Sequence, residues 1–87
     1  MNWDVTSVVA TGKTTLMVTF RDGLHGEITF EPSYFRGALT PLSDPAFFRE
    51  VRVVDDAISW PGELDLAPDA LHESLRTAGP LKSITLA

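Results

Sequence analysis

The 87-residue sequence contains no cysteine, and this absence excludes several kinds of chemistry. Without thiols, the fold depends on no disulfide, and the protein has neither a thiolate-bound metal nor a cysteine nucleophile. The sequence also lacks any apolar run approaching the ~20 residues that a membrane-spanning helix needs. Its first residues show neither the basic nor the apolar segment of a secretory signal. We therefore expect a soluble, cytoplasmic protein that forms a single domain over residues 1–87.

Basic residues are scarce as well. Seven Lys and Arg residues against twelve Asp and Glu residues give a formal net charge of −5. Neutralisation of phosphates by basic side chains supplies most non-specific affinity for nucleic acids. We therefore expect no direct binding to DNA or RNA, whereas an acidic surface suits a basic protein partner.

The first half of the chain predicts antiparallel strands. A short β-rich run covers residues 5–10, and residues 16–21 then alternate between apolar and other side chains, which is typical of a half-buried strand. Asp22 and Gly23 follow directly, and this dipeptide favours a type I′ turn. The alternation resumes over residues 24–30, so the sequence predicts a β-hairpin here.

Two short helices are predicted in the second half. Asp44 can cap a helix that begins at Pro45 and runs to Glu50, because proline suits the first helical position. Pro68 opens the other helix, which Gly79 and Pro80 end. Its apolar stripe consists of Leu71, Leu75 and Ala78.

Further strands complete the predicted fold. Residues 51–54 and 57–60 flank a turn at Asp55 and Asp56, and residues 81–87 form a weak strand or fray. The predicted class is α+β, with antiparallel β-hairpins or a meander of about five strands packed against two short helices.

Three groups of residues, in this order and spacing, resemble one known family. They are Phe20-Arg-Asp-Gly23 with Gly26, then Pro41-Leu-Ser-Asp-Pro45 leading into Phe47-Phe48, and then Ile58-Ser-Trp60 with Asp65-Leu-Ala-Pro68-Asp69-Ala-Leu71. The chain resembles the domain of unknown function 2442 family over most of its length.

The resemblance implies a small α+β fold found mainly in bacteria, with no established activity. Some relatives carry a helix-turn-helix after this domain, and we expect none in these 87 residues. Members are often encoded beside a second small protein, in an arrangement similar to a toxin–antitoxin pair. By that analogy, an acidic chain would be the neutralising partner.

One group of side chains has the composition of a metal site. On a helix that begins near Pro68, Asp69, His72 and Glu73 share one face, and Asp65 precedes them. A divalent cation could use such ligands. The structural alternative places Asp69 at the helix N-terminus, leaves His72 and Glu73 in solvent, and lets Asp65 accept backbone N–H bonds in a loop.

Aromatic residues offer a candidate contact site for a protein partner. Tyr34, Phe35 and Arg36 lie on a predicted loop, and aromatic residues and arginine are enriched at interface hot spots. The alternative is that Phe35 and Trp60 fill a small core, and for Trp60 we favour the core.

The hypotheses about function come from different classes. The leading one is a non-enzymatic protein-interaction module without a cofactor, in which the antitoxin-like member of a two-gene pair binds the product of the adjacent gene. The alternative is a small-molecule or divalent-metal site built on Asp65, Asp69, His72 and Glu73. A third possibility is a homodimer formed through an exposed edge strand.

Overall fold

The computed structural model describes residues 3–79 and 82–87. The strands and helices in these residues are, in chain order, β1 (Val5–Ala10), β2 (Thr15–Phe20), β3 (His25–Phe30), α1 (Pro45–Phe48), β4 (Arg52–Val54), β5 (Ala57–Trp60), β6 (Leu64–Leu66), α2 (Pro68–Arg76) and β7 (Ser83–Leu86). Two 3₁₀ segments, Pro32–Tyr34 and Gly37–Ser43, connect β3 to α1. Pro80 and Leu81, which the sequence assigns to the end of α2 and the start of the last strand, lie outside the described residues.

The strands form two sheets. Sheet A has the order β1-β2-β3-β7, and sheet B has the order β4-β5-β6. Neighbouring strands are antiparallel except for β3 and β7, which run parallel with Ile28 opposite Ile84. The α+β class is confirmed. The strands outnumber the predicted five because Leu64–Leu66 pairs with β5 and the tail joins sheet A.

One hydrophobic core lies between the sheets and the helices. Sheet A contributes the alternating buried side chains of β2 and β3, and sheet B contributes Ile58 and Trp60. Leu71 and Leu75 cover this core from α2, as their spacing predicts. Phe48, from α1, is also fully buried.

The turns differ from the sequence prediction at one hairpin. Arg21, Asp22 and Gly23 form a three-residue loop in which the Gly23 N–H donates to the Phe20 carbonyl (3.0 Å), and only Gly23 has a positive φ (93°). The predicted type I′ turn at Asp22 and Gly23 is therefore wrong, because such a turn needs positive φ at both central residues.

The type I′ geometry occurs instead between β4 and β5. Asp55 (φ 51°) and Asp56 (φ 63°) are both left-handed, and Val54 faces Ala57 across the two-residue loop. The carbonyl of Asp56 accepts the N–H of Val5 (2.8 Å), so this turn also joins sheet B to the start of β1.

Both helices begin as the sequence predicts. The side chain of Asp44 accepts the N–H of Ala46 (3.0 Å), and Pro45 occupies the first turn of α1. Pro68 opens α2, although its N-cap, Ala67, has no side chain that can accept a hydrogen bond. Helix α1 ends two residues before the predicted Glu50, which is within the usual uncertainty of helix ends.

Candidate functional site

A hollow of about 410 Å³ lies over sheet B and is lined by residues of all three of its strands. Arg52 of β4, Ser59 of β5 and Asp65 of β6 form a row across it, because the strand register sets Arg52 opposite Ser59 and Ser59 opposite Asp65. Directly opposite residues project from the same face of a sheet. The hollow therefore has a polar floor built by all three strands.

Ser59 is the buried centre of this row, with only 3% of its surface exposed. Its hydroxyl donates to Asp65 Oδ1 over 2.5 Å. The sequence predicts that Asp65 accepts backbone N–H bonds in a loop, but Asp65 lies in a strand and accepts a side-chain hydroxyl instead. The pairing of β5 with β6 brings these two residues together, and the prediction contained no β6.

The rim of the hollow is acidic. Asp55 and Glu63 join Asp65 around it, so three carboxylates face one guanidinium, that of Arg52. Within residues 3–79 and 82–87, the side chains of Arg52, Asp55 and Glu63 make no ion pair. An excess of unpaired negative charge around a recess attracts a positively charged group.

The four residues of the predicted metal cluster do not form one site. Asp65 bonds to Ser59, His72 contacts Asp22, and Glu73 pairs with Arg76 (Nε–Oε2 2.9 Å). Asp69 stays exposed in the first turn of α2, where a negative charge favours the helix N-terminus. Across the part of the chain that the structure describes, no three His, Asp or Glu side chains are arranged to hold a metal ion.

His72 departs furthest from its predicted environment. The sequence places it in solvent, but only 12% of its side chain is exposed, and its ring packs edge-on against Phe20 with 5.0 Å between the ring centroids. Its Nε2 lies 2.8 Å from Oδ2 of Asp22. This contact joins α2 to the β2–β3 loop across fifty residues of chain, which no local pattern could have indicated.

Asp22 holds the β2–β3 loop in two ways. The N–H of Leu24 donates to its Oδ1 (3.0 Å), while its Oδ2 contacts His72. The pKa of the Asp22 carboxyl lies below its usual value of 3.8, mainly because the Leu24 N–H stabilises the charged form and secondly because of His72. Asp22 thus holds the loop through its side chain and not through the predicted type I′ turn.

Replacement of Asp22 by asparagine is expected to make the protein less stable in a pH-dependent way. A carboxyl whose pKa is lower in the folded state contributes stability above its unfolded pKa and loses it as pH falls through its folded pKa. The difference in Tm between the wild type and Asp22→Asn should therefore be full well above pH 3.8 and shrink as the pH falls below that value. Circular-dichroism melts at stepped pH would measure it.

The control for this experiment is Glu50→Gln, which removes the same charge from an exposed residue outside the strands and helices. A Tm difference for Asp22→Asn that stays constant across the pH range would contradict the assignment. A difference no larger than that of the control would do so as well.

The predicted contact site at Tyr34, Phe35 and Arg36 is divided by the fold. Phe35 is buried (7% exposed) and packs against Phe30, and Tyr34 is half-buried against the same ring. Arg36 alone is exposed. The prediction that this loop presents its aromatic residues to a partner is wrong for Phe35, because the 3₁₀ turn beginning at Pro32 rotates that side chain into the core.

Trp60 is a core residue, as the sequence predicts. Its side chain is fully buried, and its Nε1–H donates to the carbonyl of Phe48 (2.8 Å). The rings of Trp60 and Phe48 also pack against each other, with 5.7 Å between their centroids. The bond joins sheet B to α1 and satisfies the indole nitrogen within the core.

Both histidines of the chain are engaged away from the hollow. Nδ1 of His25 lies 3.1 Å from the carbonyl oxygen of Gly23, and His72 contacts Asp22. The hydroxyl of Ser59 is therefore paired with a carboxylate and not with an imidazole, the base that most often activates a serine nucleophile.

Sequence reasoning did not identify four polar residues of the hollow, namely Arg52, Asp55, Ser59 and Glu63. Ser59 lies between two buried residues, Ile58 and Trp60, so period-2 alternation along a strand could have placed it on the opposite face. Its burial and its partner, however, depend on β6. No pattern in the short strand Arg52–Val54 distinguishes Arg52 from an ordinary exposed arginine.

The fold and the hollow define a class: a small α+β protein whose four-stranded sheet is completed by a parallel strand and whose second sheet has a polar outer recess. The profile of the family described as protein of unknown function (DUF2442) matches residues 5–77. The chain belongs to this family, which confirms the resemblance seen in its motifs.

No curated protein and no solved structure is significantly similar to the chain. Over the described residues, no helix is long and apolar enough to cross a membrane.

Proposed function

We propose that this protein is a non-enzymatic protein-interaction module whose hollow over sheet B receives a basic side chain of a partner protein. The observation that carries this proposal is the acidic rim of a recess large enough for the end of a lysine or arginine side chain. The partner we propose is the product of the adjacent gene, with this acidic chain as the antitoxin-like member of the pair. Its place of action would be the cytoplasm.

The floor of the hollow supports the same function. Asp65 is held by the Ser59 hydroxyl, so its carboxylate is oriented before a partner arrives, and preorganised groups bind with a smaller loss of side-chain entropy. Asp55 and Glu63 lie in the turns that flank β5, each with a left-handed backbone (φ 51° and 62° respectively). The acidic groups therefore sit on ordered backbone around a recess.

The arrangement of charges also favours a cation over an anion. Arg52 alone could attract an anionic group, but three carboxylates surround the same recess and would repel it. A guanidinium or ammonium group meets the opposite situation, since it is attracted by the three carboxylates and repelled only by Arg52. The formal net charge of −5 on the whole chain adds long-range attraction for a basic partner.

The first test uses a defined ligand. N-acetyl-lysine amide and N-acetyl-arginine amide, titrated into ¹⁵N-labelled protein, should shift the amide signals of Ser59, Glu63 and Asp65, and N-acetyl-norleucine amide should not. Equal shifts with the uncharged ligand, or shifts confined to other residues, would contradict a cation-binding hollow.

The second test uses the partner. The chain is co-expressed with the product of the adjacent gene and purified by affinity. The variant Asp55→Asn/Glu63→Gln/Asp65→Asn should retain at least about tenfold less partner, because three attractive groups are lost at once. The matched control is Glu27→Gln/Glu50→Gln/Asp69→Asn, which removes the same charge from exposed residues that do not line the hollow.

The control variant should retain the partner as the wild type does. Equal retention by both triple variants would place the contact elsewhere, and equal loss in both would make the attraction a general effect of net charge. Tm values of the two variants would show that each is folded, which matters because Asp65→Asn also weakens the bond from Ser59.

A further inference from the structure

The outer edge of β7 presents backbone groups that the described residues leave without a strand partner. Strand β7 is the last strand of sheet A, and it pairs only with β3. Ser83 and Thr85 are exposed, and Ile84 and Leu86 are half-buried against the core. The strand has only four residues, but it carries no charged residue and no proline, which are two of the features that keep natural edge strands from pairing.

The hydrogen bonds to β3 show which backbone groups of β7 point outward. The N–H of Glu27 donates to the carbonyl of Lys82 (3.0 Å), and the N–H of Glu31 donates to the carbonyl of Leu86 (2.7 Å). In a parallel ladder, alternate residues face the neighbouring strand, so Ile84 and Leu86 bond to β3. The N–H and C=O groups of Ser83 and Thr85 therefore point away from the sheet.

The other outer strands are protected. At the opposite edge of sheet A, β1 lies beside β4, and the N–H of Val5 donates to the carbonyl of Asp56. In sheet B, the edge strands carry Arg52 and Asp65, and such charges oppose pairing with another chain. Strand β7 is thus the edge of the described sheets that is neither flanked nor charged.

We propose that β7 pairs antiparallel with β7 of a second copy, so that two copies of sheet A form one continuous eight-stranded sheet. The two-fold axis passes beside Thr85, which faces its own counterpart as a hydrogen-bonded pair. In this register Ser83 faces Ala87, and Ile84 faces Leu86. This inference is independent of the proposed function, because the hollow lies on sheet B and includes no residue of β7.

A second copy fits this edge because the strand is complementary to itself. With Thr85 on the axis, the outward N–H groups of each strand lie opposite the outward C=O groups of the other strand and can donate to them. Apolar side chains then face apolar ones, and the two Thr85 hydroxyls lie within reach of a mutual hydrogen bond. A similar bond already exists inside sheet A, where Oγ1 of Thr15 lies 3.2 Å from Oγ1 of Thr29. No charged side chain of β7 is buried in this arrangement.

The size of the contact indicates a reversible dimer. A pair of strands this short buries less than the ~1,000 Å² expected of a stable interface. We therefore expect dissociation on dilution in the micromolar to millimolar range. Sedimentation equilibrium across that range should show the mass rising from monomer to dimer, and no further, since the pairing consumes the edge of both copies.

The discriminating variants act at the two-fold axis. Thr85→Lys places two like charges opposite each other and should weaken self-association by about tenfold or more, and Thr85→Glu should do the same. An equimolar mixture of the two variants should restore the dimer, because the facing charges are then opposite. The matched control is Ser7→Lys, which adds a charge at an exposed residue of β1 and should dimerise like the wild type.

Several outcomes would overturn the proposal. A monomer mass across the whole range would do so, and so would self-association that Thr85→Lys leaves unchanged. Circular dichroism would show whether the Lys and Glu variants are folded. If both are folded and their mixture does not dimerise, the proposed register is wrong. Titration of Thr85→Lys with N-acetyl-lysine amide should give the wild-type shifts at Ser59. A failure of the β7 dimer can therefore be distinguished from a failure of the hollow to bind a cation.

Discussion

Replacement of Trp60 by alanine is expected to lower the free energy of unfolding by about 4 kcal/mol, the largest effect of any single change considered for this protein. The side chain is fully buried and packs against the ring of Phe48, so its removal leaves a cavity between sheet B and α1. A chain of this size has a total stability of roughly 4–13 kcal/mol, so Trp60→Ala would remove about a third of it or more.

The hydrogen bond of Trp60 can be separated from its volume. In Trp60→Phe the bond from Nε1–H to the Phe48 carbonyl is lost, but that carbonyl still accepts the N–H of Val51 (3.3 Å), so it is not left without a partner. We therefore expect a loss of about 2 kcal/mol, smaller than for alanine, from the missing bond and the smaller ring. Urea denaturation followed by circular dichroism would measure both variants.

Trp3 provides the matched control, because it is the other tryptophan of the chain and is 36% exposed. Trp3→Phe should change the free energy of unfolding by no more than about 0.5 kcal/mol. In that background the remaining tryptophan fluorescence comes from Trp60, and its emission should be that of a buried indole. A Trp60→Ala variant as stable as Trp3→Phe would show that Trp60 is not part of the core.

Gly26→Ala is expected to lower the free energy of unfolding by about 3 kcal/mol, although it adds only one methyl group. A Cβ at residue 26 would overlap the carbonyl oxygen of Lys82 and lie 2.9 Å from Cδ2 of Leu75. Leu75 is fully buried and could give way only by disturbing α2. The carbonyl of Lys82 is backbone and holds β7 to β3 through the N–H of Glu27, so relief would separate the two strands.

Gly12→Ala is the matched control for this substitution. A Cβ at residue 12 meets only ordinary contacts, the nearest being Cβ of Thr15 at 3.6 Å, and the backbone there needs no left-handed conformation. Its effect should stay within about 0.5 kcal/mol by urea denaturation. Equal stabilities of the two variants would contradict the close approach of β7 to Gly26. The β7 dimer should also weaken in Gly26→Ala, because its edge strand would be displaced.

These two residues illustrate what a single sequence can and cannot indicate. The position of Trp60 at the end of an apolar strand was sufficient to predict its burial, because that inference needs only local patterning. The requirement for glycine at residue 26 has no local signal, since this residue has an ordinary strand conformation without a positive φ. The requirement arises only from the approach of Lys82, which is fifty-six residues away in the chain.

The hollow shows the same limit. Asp65 was singled out for its position between two leucines, but its pairing with Ser59 depends on the register of β5 and β6. His72 was assigned to a cluster on its own helix, whereas its contact is Asp22 of a distant loop. In each case the residue was recognised as notable from its neighbours in sequence, and the partner was missed because it lies across the fold.

The sequence by itself determined the elements whose causes are local. The alternation of apolar residues predicted β2 and β3. The start of α1 was predicted from Asp44 and Pro45, and α2 was predicted from Pro68 and the leucine spacing. These signals suffice because capping and side-chain periodicity act within a few residues. Tertiary structure alone decided the parallel pairing of β7, the contact of His72 with Asp22, and the assembly of the hollow. Their physical cause is the packing and hydrogen bonding of segments far apart in the chain, and no short stretch of sequence carries that information.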